Sequence, residues 1–158
     1  SLELENPGAP GASFVITLPL AAGVAVESRP LTSRPRLLLV DDEQLISDLL
    51  SDGLSGTFDV QACDGVVAAL ATVAAEPPFD IVLCDLIMPN GGGERLFQEL
   101  GSLGVRPPMC FMSGGAATPE ARHFLERERI VPIDKPFRIG DVRRRLLIAL
   151  GARTNALE

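Results

Sequence analysis

Basic charge, paired cysteines, histidine and long apolar runs are all scarce in this chain, and each shortage removes a class of function. With 14 Lys and Arg against 21 Asp and Glu, the formal net charge is -7 and the pI about 4.7. That balance leaves no basic face for nucleic acid or for an anionic membrane surface. The one basic cluster, Arg143, Arg144 and Arg145, is expected on a solvated helix face. Three cysteines, Cys63, Cys84 and Cys110, are an odd number without metal-ligand spacing, and two lie inside apolar runs. They read as reduced core cysteines of a cytosolic protein. No apolar stretch is long enough to span a bilayer. The nearest, FVITLPLAAGVAV, is interrupted by Pro19 and preceded by Glu3 and Glu5, a poor pattern for a signal peptide. His123 stands alone among Arg122, Glu126 and Arg127, as a surface residue would.

What is present is enough for one good core: 158 residues, 46% of them hydrophobic. Residues 1–20 read as two short extended pieces around the PGAPG turn, with Phe14, Ile16 and Leu18 alternating. A lone hairpin is marginal in water, so its natural setting is a larger sheet. Residues 21–35, rich in Ser, Pro and Ala, read as a linker.

From residue 36 to 151, strands alternate with helical periods, and residues 152–158 form a tail. LLLV (37–40), IVLC (81–84) and MCFM (109–112) are unbroken apolar runs, the signature of strands buried on both faces. FDVQA (58–62) alternates, and IVPI (130–133) contains Pro132, which cannot donate to a ladder; both belong at edges. Leu45, Ile46, Leu49, Leu50 and Leu54 predict a helix with one apolar face, and Val66, Val67, Leu70 and Val73 a second. Leu96, Phe97 and Leu100 mark a third. Thr118-Pro119 caps a fourth, with Phe124 and Leu125 on its apolar side. Val142, Leu146, Leu147 and Leu150 stripe the last. Five strand-then-helix units predict an α/β fold, a doubly wound five-stranded parallel sheet of order 2-1-3-4-5 with its switch point between strands 1 and 3.

In such a sheet the carboxyl ends of the strands face the ligand crevice. Strand 1 ends in Asp41-Asp42, strand 3 in Asp85, strand 4 in Ser113 and strand 5 in Lys135. One acid pair after a strand is more often an ordinary helix-start group than a site. Four functional groups at one rim make the stronger case. Three carboxylates brought together repel unless a cation is present, and oxygen-only ligands suit a hard ion such as Mg²⁺. Such an ion leaves room for phosphate oxygens, to which Lys135 offers charge and Ser113 a hydroxyl, and a carboxylate then becomes a competent nucleophile towards phosphorus.

LLLVDDE, LCDLIMP, FMSG and DKPF, in this order and at these separations, resemble the receiver domain of two-component signalling proteins, with its flavodoxin-like fold. The resemblance implies that Asp85 is the phosphoacceptor, taking a phosphoryl group from a histidine kinase core or a histidine phosphotransfer protein. It implies that Asp42 and Asp85 are ligands of Mg²⁺, that Asp41 acts through water, and that the backbone carbonyl of Ile87 completes the metal site. Ser113 matches the switch hydroxyl and Lys135 the phosphate-binding lysine. Residues 1–20 resemble the last strands of a sensor histidine kinase ATP-binding domain. The expected parent is therefore a hybrid sensor histidine kinase, cytoplasmic at this end whether or not it is membrane-attached. The fragment itself, with no second histidine, is expected to have no kinase activity and to contact neither nucleic acid nor membrane, while a homodimer is compatible with it.

Two departures from the family pattern stand out. Pro132 occupies the place of a switch aromatic, so output is expected to use another surface. Asn90-Gly91-Gly92-Gly93 replaces a loop with one glycine, and its freedom predicts unusual mobility. Ile87 is expected as an apolar gate beside the acceptor. The competing readings are a receiver-like domain acting as a constitutive protein-binding module and a Mg²⁺-dependent phosphohydrolase. The second lacks an obvious acid or base to assist water.

Overall fold

The computed structural model describes residues 2–5, 13–16, 34–89, 91–115 and 118–154, with side chains from 34 to 151. The chain divides into two units, Ser1–Ser33 and Arg34–Glu158. In the first, β1 (Leu2–Glu5) and β2 (Ser13–Ile16) pair antiparallel with Leu2 opposite Ile16. The PGAPG turn, the linker up to Ser33, Asn90 and residues 155–158 lie outside the described residues.

The second unit alternates β3 (Arg36–Val40), α1 (Gln44–Leu54), β4 (Asp59–Cys63), α2 (Val66–Ala75), β5 (Ile81–Asp85), α3 (Gly93–Ser102), β6 (Met109–Ser113), α4 (Pro119–Glu128), β7 (Ile133–Asp134) and α5 (Ile139–Thr154). All strands are parallel, in the order β4-β3-β5-β6-β7, which is the expected 2-1-3-4-5. Successive side chains leave a strand on opposite faces. Leu38, Val40, Val82, Cys84 and Phe111 therefore pack with Val66, Ala69, Leu96, Leu100 and Phe124 from α2, α3 and α4. On the other face Leu37, Leu39, Ile81, Leu83 and Met112 pack with Leu50, Leu54, Val142 and Leu146 from α1 and α5.

Local signals account for several boundaries. Thr118 accepts a hydrogen bond from the Ala121 N–H, with Pro119 in the first turn of α4. Arg129, with φ 56, closes that helix in the left-handed region. Phe97, Phe111 and Phe124 form an edge-on cluster, with Phe124 centroids 5.5 Å from both others, tying α3 and α4 to β6.

Four expectations need correction. The fifth strand is confined to Ile133–Asp134; Ile130, Val131 and Pro132 precede it, because Pro132 has no N–H to give. The apolar residues of α1 do not share one face: Leu50 and Leu54 are buried, but Leu45 is 85% and Leu49 55% exposed. Neighbours in a helix diverge by about 100°, so the five residues cover a wider arc than the sheet can bury; Val67 on α2 is exposed for the same reason. The arginine trio is not a solvated face. Arg143 donates to the Gly53 carbonyl and Arg145 to that of Val131, leaving Arg144 outermost with Asp141. The glycine loop, finally, is packed down where it is described. Gly93 is buried and its N–H donates to the Leu86 carbonyl at 3.1 Å, while a Cβ on Gly92 would overlap that same oxygen. Gly92 and Gly93 serve close approach, while Gly91, with φ 100, supplies a backbone conformation that side-chain-bearing residues rarely adopt.

Candidate functional site

The site is built by strand ends. Asp85 is the last residue of β5, the strand flanked by β3 and β6, and is only 6% exposed. Asp41 follows β3 and is 1% exposed; its N–H donates to the Cys63 carbonyl at the end of β4, which fixes the chain as it leaves the sheet. Ser113 ends β6, 3% exposed, and its carbonyl accepts from the Lys135 N–H at 2.7 Å. The strand ladder thus delivers Lys135 to the rim. The Lys135–Pro136 peptide that follows is cis.

The Lys135 ammonium donates to Asp85 Oδ2 at 2.8 Å, to Asp41 Oδ2 at 3.0 Å and to Glu43 Oε1 at 3.3 Å. Asp85 Oδ1 accepts from the Ile87 N–H at 3.2 Å, and Asp41 Oδ1 from the Glu43 N–H at 2.9 Å. Burial alone would lower the Lys135 pKa, but the hydrogen bonds and charges of Asp85 and Asp41 outweigh it and hold the amine above its ordinary value. Asp41 is displaced the other way for an acid: burial raises its pKa more than Glu43 and Lys135 lower it. Burial likewise pushes the Cys84 thiol well up, with Asp85 and Asp41 adding to the effect, so this cysteine is core rather than nucleophile.

Asp41, Asp42 and Asp85 can each offer an oxygen such that all three lie within 4.8 Å of one another. Asp42 is exposed and has no hydrogen bond among the described residues, so its oxygens are available to a ligand. Oxygen donors held this closely fit a hard divalent cation.

Sequence reading brought Asp41, Asp42, Asp85 and Lys135 to one rim, and the structure joins them. Ser113 reaches the same rim at the end of the neighbouring strand, and Ile87 is 45% exposed beside Asp85. His123 is exposed on α4. The residue that sequence reading passed over is Glu43, whose carboxylate is a third partner of Lys135. Its only signal was adjacency to the acid pair. Among the described residues no helix is long and apolar enough to cross a membrane.

A family model of the response regulator receiver domain matches residues 37–147. The chain is 33% identical over 115 residues to the sensor histidine kinase RcsC of Escherichia coli K12, covering 71% of this chain and 12% of that protein. It is 29% identical over 127 residues to the response regulator protein PilR of Pseudomonas aeruginosa, covering 80% of this chain and 28% of that one. The chain therefore spans a minor part of these relatives. Among solved structures, a CheY-like response regulator receiver domain protein from Methanospirillum hungatei matches with TM-score 0.66 and 25% identity, covering 78% of this chain and 99% of its own. FixJ-N matches with TM-score 0.65 and 24% identity, covering 75% and 95%. By the family match and by the sheet that carries it, the chain belongs to the response regulator receiver domains of two-component signalling.

Proposed function

We propose that Asp85 accepts a phosphoryl group from a phosphohistidine on a histidine kinase core or a histidine phosphotransfer protein, and that the chain is the receiver portion of a hybrid sensor histidine kinase. The observation that carries the first part is the Lys135 ammonium held between Asp85 and Asp41 at the end of a central strand. In this reading an Asp85 oxygen attacks phosphorus; the new O–P bond forms as the P–N bond breaks, and the electron pair leaves with the imidazole nitrogen. Lys135 exchanges its bond to Asp85 for one to a phosphoryl oxygen, and the Ser113 hydroxyl donates to another. Asp42, Asp85 and the Ile87 carbonyl would hold Mg²⁺, with Asp41 reaching it through water. When bound, the ion neutralises charge on the phosphoryl oxygens.

The hybrid-kinase part is supported by likeness to the receiver-bearing kinase RcsC and by the antiparallel pairing of residues 2–5 with 13–16, the arrangement expected of closing strands from an ATP-binding domain. A tether of this kind raises the effective concentration of donor and acceptor for each other. Incubation with Mg²⁺ and acetyl phosphate tests the acceptor: one phosphoryl mass is gained, and Asp85→Asn gains none. If no adduct forms even from a phosphohistidine protein, the binding-module reading replaces this one.

A further inference from the structure

Glu43 is the N-cap residue of α1, with extended backbone (φ -87, ψ 99), yet its side chain makes no capping hydrogen bond. A carboxylate at that place ordinarily has exposed helix N–H groups within reach and helix polarity in its favour. Here it turns instead to Lys135, 3.3 Å from the ammonium. The backbone of Glu43 is pinned to the site, its N–H on the Asp41 carboxylate and its carbonyl accepting from Ile46 and Ser47. The side chain remains 62% exposed, and an ion pair that open adds little to stability. Its consequence is the field at the mouth of the site. Lys135 already serves two buried carboxylates, and contacts of 2.8 and 3.3 Å through the one ammonium separate Asp85 from Glu43. Asp42 and Asp64, which line the recess beside Asp42, add exposed negative charge to the same rim.

We propose that Glu43 determines which phosphodonors this site accepts: its carboxylate, held at Lys135, repels acyl phosphate dianions and favours donors whose leaving group is a protonated nitrogen. The proposal rests on the phosphoacceptor reading of Asp85 and extends it to the choice of donor. With acetyl phosphate, the Asp85 carboxylate displaces acetate and the incoming molecule brings two negative charges. With phosphoramidate, protonated on nitrogen, the same attack breaks a P–N bond and releases neutral ammonia; the donor's net charge is one unit less negative, and in an in-line attack its protonated nitrogen lies on the side of phosphorus away from Asp85. A fixed carboxylate at this range separates two such donors by about 3–10-fold in rate at low salt, and salt screens the difference away.

The test compares initial rates of Asp85 phosphorylation, followed by intact mass in Mg²⁺, with acetyl phosphate and with phosphoramidate at low and high ionic strength. Glu43→Gln should speed acetyl phosphate about 3–10-fold and phosphoramidate less than about twofold, with the gap closing at high salt. Asp52→Asn, an equal change in net charge in the last turn of α1, should alter neither rate, and the melting temperature of Glu43→Gln should match that of the unsubstituted chain. An unchanged ratio between the two donors in Glu43→Gln, whether both rates rise, fall or stay, overturns the proposal. If the unsubstituted chain takes a phosphoryl group from neither donor, this inference fails, and if a phosphohistidine protein also leaves no adduct, the phosphoacceptor reading fails with it.

Discussion

The Lys135 ammonium lies 2.8 Å from the Asp85 carboxylate although 50 positions separate them in the chain. The contact exists because β7 and β5 both flank β6: the Lys135 N–H is bonded to the Ser113 carbonyl on one side, and the Leu86 N–H to that of Met112 on the other. Sheet register, more than side-chain reach, sets the distance between the carboxylate and the ammonium.

This pairing fixes a pH dependence for the metal-free protein. The folded pKa of Lys135 lies above its unfolded value, so its stabilising contribution is complete below the ordinary amine value of 10.5 and is lost as pH rises beyond it through the folded value. Asp41 is a carboxylate with a raised folded pKa, and its favourable contribution is present below 3.8 and lost as pH rises through the folded value. Urea denaturation in EDTA from pH 9 to 11.5 should show an alkaline loss of stability that is diminished in Lys135→Gln. An equal loss in both proteins would contradict the linkage.

Asp42 contributes repulsion without a compensating hydrogen bond among the described residues. Without Mg²⁺, Asp42→Asn should stabilise the fold by about 0.5–1 kcal/mol. Saturation with Mg²⁺ to about 100 times its Kd should stabilise the unsubstituted chain by about 2.7 kcal/mol and the variant much less. Thermal melts across a Mg²⁺ titration read both effects. The same Mg²⁺ response in the two proteins would remove Asp42 from the proposed metal site.

Gly92 has no room for a side chain, since a Cβ would overlap the Leu86 carbonyl oxygen one residue past Asp85. Gly92→Ala should cost about 3 kcal/mol or more through displacement of that backbone. It should also slow phosphorylation of Asp85 by shifting the loop that leaves it. Chemical denaturation paired with adduct formation checks both, and a variant of unchanged stability would show that the loop is not held as described.

Thr118 is the capping residue of α4, and Thr118→Ala should cost about 1 kcal/mol. By contrast, Leu45→Ser on the exposed side of α1 should change stability by less than about 0.5 kcal/mol. Urea midpoints of the two variants separate a capping hydrogen bond from an apolar residue left at the surface.

How much of the site was legible follows from what each signal reports. Unbroken apolar runs distinguish central strands from edges, and crossover handedness does the rest, so the sheet order and the shared rim of Asp41, Asp85, Ser113 and Lys135 were readable from the order of residues along the chain. Helix faces were less so. Periodicity shows which residues are apolar but not how wide an arc the sheet covers, which is why Leu45 and Leu49 were assigned to the core and lie outside it.

The sequence by itself determined the fold class, the strand order and the set of charged groups at one end of the sheet, because burial pattern and chain direction are properties of consecutive residues. Only tertiary structure decided that Glu43 turns from its own helix to Lys135, that Gly92 and Gly93 lie against the end of β5 and that Arg143 and Arg145 reach neighbouring backbone. Each of those depends on distances between segments remote in the chain. Such distances are set by how layers pack, and no local pattern encodes them.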